Sequence, residues 1–230
     1  MFVSKSMTRK VIVISPDADI FEAQEKMAKN KIRHLPVVDE DGRLIGIVTD
    51  RDIRSAMPPG LFKNLECTPN EKDAIAELRI RDIMTRDPMC ISPTYTIQDA
   101  MLLIQKERIG ALPVVGENNT LKGIISIRDL LRSFINVMGI GQPGTLLGVV
   151  VEDKVGELKK IVDIIVEENI SMGSVLTVKY WESGKRAVFP YLLAMNVNPV
   201  KEKLKAEGFE LIDPLQWYID NLPGSDISEQ

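Results

Sequence analysis

The sequence predicts a mixed α+β / α/β protein: two β-α-β-β-α units packed as a pseudo-two-fold pair, followed by a βαββαβ domain. Three observations carry this expectation. Residues 7–56 align without a gap with residues 84–133, at a constant offset of 77, and about twenty of the fifty positions are identical. Each copy is therefore one supersecondary unit that buries its apolar face against a neighbour. Within each copy the apolar residues switch between strand-like runs and helical spacing. From Leu146 a new pattern of apolar runs begins that does not repeat the first two, and 230 residues leave room for it as a second core.

In the first copy, Val11, Ile12, Val13 and Ile14 form a short apolar run stopped by Pro16, which reads as a strand. Ile20, Ala23, Met27 and Ala28 recur at helical spacing, with Asp17 or Asp19 available as a cap. Residues 35–38 and 44–48 are apolar strands around the turn signal Asp41-Gly42. A short helix over 50–56 then runs into Pro58-Pro59-Gly60. The second copy repeats the order: helix 96–106, strands 112–115 and 121–125, helix 127–135. Residues 57–83 join the copies, with a linking helix expected over 71–79.

Composition narrows the function classes. The net charge of -4 offers no broad basic surface for nucleic acid. No apolar run approaches the roughly 20 residues that span a bilayer, and residues 1–16 lack the apolar stretch of a signal peptide. Cys67 and Cys90 make no disulfide framework and stand in no metal-ligand spacing, which suits a reduced cytoplasm. His34 is the sole histidine, so histidine-based catalysis and multi-histidine metal sites are excluded. No nucleophile–base pair or phosphate loop is readable, and neither an enzyme nor a required cofactor is expected. Gly139-Ile-Gly141-Gln-Pro-Gly144 matches a dinucleotide fingerprint in letters. That fingerprint works only after a strand and at the start of a helix, and here it follows a helix and precedes a strand.

One constellation occurs twice. Gly46, Thr49 and Asp52 in the first copy match Gly123, Ser126 and Asp129 in the second. The hydroxyl ends a strand, and the aspartate falls in the first turn of the next helix. A carboxylate there can accept two hydrogen bonds from a vicinal diol, and free backbone N–H groups at the helix start favour phosphate. Such charge-assisted bonds are worth roughly 1.5–3 kcal/mol, so loss of one carboxylate weakens binding about ten- to a hundredfold. The same residues also suit a plain capping role, with the aspartates offsetting the helix dipole. Arg51 and Arg128 precede the aspartates and could reach a phosphate.

The segments Ile32-Arg33-His34-Leu35-Pro36-Val37-Val38-Asp39 and Gly46-Ile47-Val48-Thr49-Asp50-Arg51-Asp52, with their counterparts 109–115 and 123–129, resemble the CBS motif. The resemblance spans residues 1–137, with motif one at 7–56, linker 57–83 and motif two at 84–133. It implies an adenosine-type nucleotide as regulatory ligand, with ribose at Thr49 and Asp52 and at Ser126 and Asp129, and hence two usable sites. It also implies phosphate contacts from Arg33 and His34. Motif two carries Gly110 and Ala111 there, which makes phosphate recognition lopsided. Val11, Val13, Met89 and Ile91 would sandwich the base.

After a hinge at 138–145, strands are expected at 147–151, 170–180, 187–195 and 209–212, with helices at 156–168 and 199–207. The order implies an antiparallel sheet with two helices on one face. With Asp153-Lys-Val-Gly156-Glu-Leu158 at its first turn, the stretch 146–213 resembles a ferredoxin-like ACT domain, although Val155 stands where that family has proline. The resemblance implies a possible amino-acid ligand at Asp153 and Gly156, or dimerisation alone. Residues 214–230 form a tail in which Trp217 and Tyr218 are expected to pack down. The order CBS–CBS–ACT is similar to the acetoin utilization protein group. A cytoplasmic homodimer that senses a nucleotide and acts on a protein partner is the expectation; a ligand-free scaffold and an amino-acid sensor are the alternatives.

Overall fold

The computed structural model describes residues 1–57, 77–179 and 183–212. The backbone divides into two compact units, Met1–Leu131 and Arg132–Gln230. Most of the linking helix expected over 71–79 falls outside the described residues, as do Cys67 and the tail with Trp217 and Tyr218.

The first unit opens with α1 (Val3–Ser6), α2 (Ile20–Asn30), β1 (His34–Val38), β2 (Leu44–Thr49) and α3 (Asp50–Ala56). The second motif follows as α4 (Ile80–Ile83), β3 (Thr85–Arg86), α5 (Ile97–Glu107), β4 (Ala111–Val115), β5 (Leu121–Ser126) and α6 (Ile127–Met138). Local chemistry sets the helix ends. Asp19 accepts the Glu22 N–H at 2.8 Å to start α2, and Thr96 with Asp99 forms a capping box on α5. Both helices stop at a left-handed residue, Lys31 at φ 53° and Arg108 at φ 54°. Ile20, Ala23 and Met27 bury the inner face of α2, and Ile97, Ala100 and Ile104 that of α5.

The repeat extends to hydrogen-bond register. His34 faces Thr49 across the β1–β2 hairpin and Ala111 faces Ser126 across β4–β5, each hairpin with an irregularity at the second valine of Leu-Pro-Val-Val. The two motifs also exchange their leading segments. Thr85 and Arg86 of β3 pair with Ile47 and Gly46 of β2, while Thr8 bridges to Ile124 of β5. The glycines permit this approach: a Cβ at Gly46 would lie 2.5 Å from Met84 Sδ, and one at Gly123 would lie 2.6 Å from Met7 Sδ.

The strand expected over 11–14 is reduced to one residue. Ile14 donates to the Pro36 carbonyl and accepts from Val38 N–H, and Ile91 does the same with Pro113 and Val115. In a parallel ladder the next bonds would need N–H groups on Pro36 and Pro16, or on Pro113 and Pro93. Proline has none, so the pairing cannot extend either way.

The second unit contains β6 (Thr145–Leu146), β7 (Gly148–Glu152), α7 (Glu157–Glu167), β8 (Met172–Val178), β9 (Lys185–Leu192), α8 (Asn198–Ala206) and β10 (Glu210–Ile212). The antiparallel sheet runs β10-β7-β9, with β8 on the far side of β9 and β6 prolonging the β7 edge. Val149, Val151, Val188 and Leu192 share one core with Ile161 and Ile165 of α7 and Val200 and Leu204 of α8, so both helices cover the same face. Gly139 to Gly144 lies between α6 and β6, the context in which a dinucleotide fingerprint does not operate.

Candidate functional site

The carboxylates of the repeated constellation are held rigidly at the head of their helices. Asp52 Oδ2 accepts the Thr49 N–H at 2.8 Å and the Thr49 hydroxyl at 2.7 Å. Asp129 Oδ2 accepts the Ser126 N–H at 2.9 Å and the Ser126 hydroxyl at 2.6 Å. The Asp52 and Asp129 N–H groups donate back to those hydroxyls, so these two helix-start donors are engaged by the caps. Capping thus occupies one oxygen of each carboxylate. The second oxygens differ. Oδ1 of half-buried Asp52 has no hydrogen-bond partner among the described residues, whereas Oδ1 of Asp129, a residue only 6% exposed, accepts the Thr8 hydroxyl at 3.4 Å.

His34 stands at the start of β1, and its imidazole lies against the backbone of Gly110, where an added Cβ would be 2.7 Å from Nε2. Burial pushes the imidazole below its ordinary pKa; Asp50 and Asp52 pull it upward and Arg33 pushes it down. Arg33, Arg51 and Arg128 are exposed. Val11 and Val13 are half-buried, and Lys26 Nζ donates to the Val13 carbonyl at 3.2 Å. Met89 is 46% exposed, but Ile91 is 3% exposed and its side chain belongs to the core of motif two. Thr49, Asp52, Arg33 and His34 therefore gather around the β1–β2 end of motif one. Ser126 and Asp129 sit at the matching end of motif two, where Gly110 and Ala111 stand in the positions of Arg33 and His34.

Thr8 is a further candidate that the sequence alone does not single out. Its signal lay in the repeated Met-Thr-Arg at 7–9 and 84–86, but only the pairing of residue 8 with residue 124 brings it to Asp129.

In the second unit, Asp153 pairs with Arg186 at 2.7 Å, and Gly156 takes φ 102° as the residue before α7. A cavity of about 280 Å³ beside this turn is lined by Val151, Lys154, Leu158, Thr177 and Arg186, among others. Arg186 Nε is buried there without a hydrogen-bond partner. Among the described residues no cluster of His, Cys, Asp and Glu could hold a metal ion, and no helix is long and apolar enough to cross a membrane.

Comparison with known proteins agrees with the repeat. The CBS domain model matches twice, over residues 3–59 and 80–136. A CBS domain-containing protein of Dictyostelium discoideum is 31% identical over 141 residues, which cover 60% of this chain and 94% of that protein. An inosine-5'-monophosphate dehydrogenase of Halalkalibacterium halodurans is 35% identical over 118 residues, but those are 51% of this chain and only 21% of the enzyme. The crystal structure of a Vibrio cholerae protein named for acetoin utilization superposes with a TM-score of 0.51 at 28% identity, covering 61% of this chain and 95% of that one. With its two matched motifs and a relative aligned over nearly its whole length, the chain belongs to the CBS domain family.

Proposed function

We propose that the CBS pair binds an adenosine-type nucleotide (AMP, ADP, ATP or a related compound) and that the chain is a regulatory protein rather than an enzyme. The observation that carries this reading is Asp52. Its carboxylate is fixed by two bonds to Thr49 through one oxygen, and the other oxygen is unengaged among the described residues beside His34 and Arg33. A pre-positioned acceptor next to the Arg33 guanidinium and the His34 imidazole suits a ribose diol followed by phosphate. Membership of the CBS family supports the same assignment.

Binding regulates only if the nucleotide has different affinity for two arrangements of the protein, with coupling of about 1–3 kcal/mol typical. We read the second unit, with its β-α-β-β-α-β order, as an ACT-like output domain over 146–213, and residues 138–145 as the hinge that carries the shift. The acting species in this reading is a cytoplasmic homodimer that controls a partner protein. A thermal-shift titration with AMP, ADP, ATP and S-adenosylmethionine tests it. The expected result is a saturable rise in Tm with one nucleotide, lost in the Asp52→Ala/Asp129→Ala variant. A flat response to all four sinks the reading in favour of a ligand-free scaffold.

A second reading draws on the cavity at Asp153 and Gly156. Its apolar floor, with Lys154 and Arg186 beside Asp153 and Glu157, has the mixed charge that suits a free amino acid. It predicts that an amino acid alone stabilises the protein.

A further inference from the structure

We propose that the two nucleotide positions are unequal: one nucleotide seats per chain, on Asp52, and Thr8 blocks the matching seat at Asp129. The proposal rests on the nucleotide reading above and concerns which of its two carboxylates is usable.

Recognition of a diol needs an accessible carboxylate oxygen with a vacant lone pair. Capping consumes Oδ2 in both motifs, so the choice falls to Oδ1. In motif two the Thr8 hydroxyl is already bonded to it, and Asp129 is 6% exposed. In motif one the residue equivalent to Thr8 is Thr85. It pairs with Ile47 as Thr8 does with Ile124, yet makes no hydrogen bond to Asp52 among the described residues.

The surroundings favour the same seat. Arg33 and His34 stand at the start of β1, whereas the offset of 77 puts Gly110 and Ala111 at the start of β4. His34 is close enough to Asp50 and Asp52 to feel both charges. A nucleotide phosphate therefore finds the Arg33 guanidinium and the His34 imidazole at the motif-one strand, and no counterpart of that pair at the start of β4.

A nucleotide at Asp129 must first displace the Thr8 hydroxyl from a buried carboxylate. Thr8 is held in place by the paired bonds of its backbone with Ile124, 2.9 and 3.0 Å long, and by Val3 of α1, fully buried in the core of motif two. The blocking group thus belongs to the segment that motif one lends to motif two.

Isothermal titration of the chain with AMP tests this, using Asp52→Asn and Thr8→Ala. Asparagine retains an acceptor for the Thr49 N–H, and alanine removes both the Thr8 hydroxyl and the volume it occupies against Asp129. The expected results are one AMP per chain in the unaltered protein, an affinity loss of at least tenfold in Asp52→Asn, and a second AMP per chain in Thr8→Ala. Two AMP per chain of like affinity in the unaltered protein overturns the proposal. So does full affinity in Asp52→Asn, or a stoichiometry still at one in Thr8→Ala. No binding of AMP or of the other nucleotides to the unaltered protein removes the nucleotide reading itself, a failure distinct from these.

Discussion

The imidazole of His34 fills the space that a side chain at Gly110 would need, with Nε2 only 2.7 Å from where the missing Cβ would sit. The two residues begin in different motifs, at the start of β1 and just before β4, so the contact is a join between the copies. The lopsidedness seen in the sequence, Arg33-His34 against Gly110-Ala111, thus has a packing reason beside its proposed role in phosphate recognition. One motif supplies the ring and the other supplies the vacancy.

Gly110→Ala should destabilise the protein by about 1–3 kcal/mol, the usual cost of forcing extra volume into a packed contact. In a His34→Ala background the same change should cost much less. Denaturant unfolding of the four proteins measures the coupling. Equal costs in both backgrounds would place the strain elsewhere.

Stability should depend on pH through His34. Its folded pKa lies below the ordinary 6.5, chiefly through burial, so between the two values the unfolded chain binds the extra proton. Stability therefore rises with pH across that window and is lost as pH falls through the folded pKa. Unfolding midpoints from pH 5 to 7.5 should show this slope, and His34→Gln should flatten it. A slope unaltered in the variant would assign it to other groups.

Gly123→Ala tests the exchange of leading segments. Its new Cβ would meet Met7 Sδ at 2.6 Å and the Thr8 carbonyl at 3.0 Å, and the backbone oxygen cannot swing aside as a thioether can. A loss of about 1–3 kcal/mol is expected, with faster amide exchange at Thr8 and Ile124, whose paired bonds would loosen. Unchanged exchange at both amides would show that the pairing tolerates the methyl.

Thr96→Ala removes the cap of α5. The hydroxyl bonds Asp99 Oδ2 at 2.7 Å and accepts the Asp99 N–H at 3.2 Å. The expected cost is about 1 kcal/mol, within the range for lost N-caps. Thr96→Ser should recover most of it. A serine variant as weak as the alanine variant would point to the lost methyl instead of the cap.

Much of this architecture was readable from residues alone because its causes are local. The offset of 77 announced two equal units, and helical spacing, with Asp17 or Asp19 as the cap of one helix and 96–106 as the span of the other, placed α2 and α5. Gly46, Thr49 and Asp52, with Gly123, Ser126 and Asp129, stood out because a strand-ending hydroxyl and a first-turn aspartate act within three residues of each other. The prolines were equally visible, though their effect on the 11–14 segment was not. That effect depends on which residue lies across a parallel pairing.

Other features were decided by tertiary structure. The sequence offered two aspartates in matching positions; the fold placed Thr8, 121 residues away in the chain, on one of them and left one oxygen of the other without a hydrogen-bond partner among the described residues. It likewise set His34 on Gly110 and Met7 on Gly123. No local period encodes these pairings, because they arise when two similar units close on each other and exchange their leading segments. Repetition determined that there are two motifs; the closing of one on the other decided which aspartate receives the Thr8 hydroxyl.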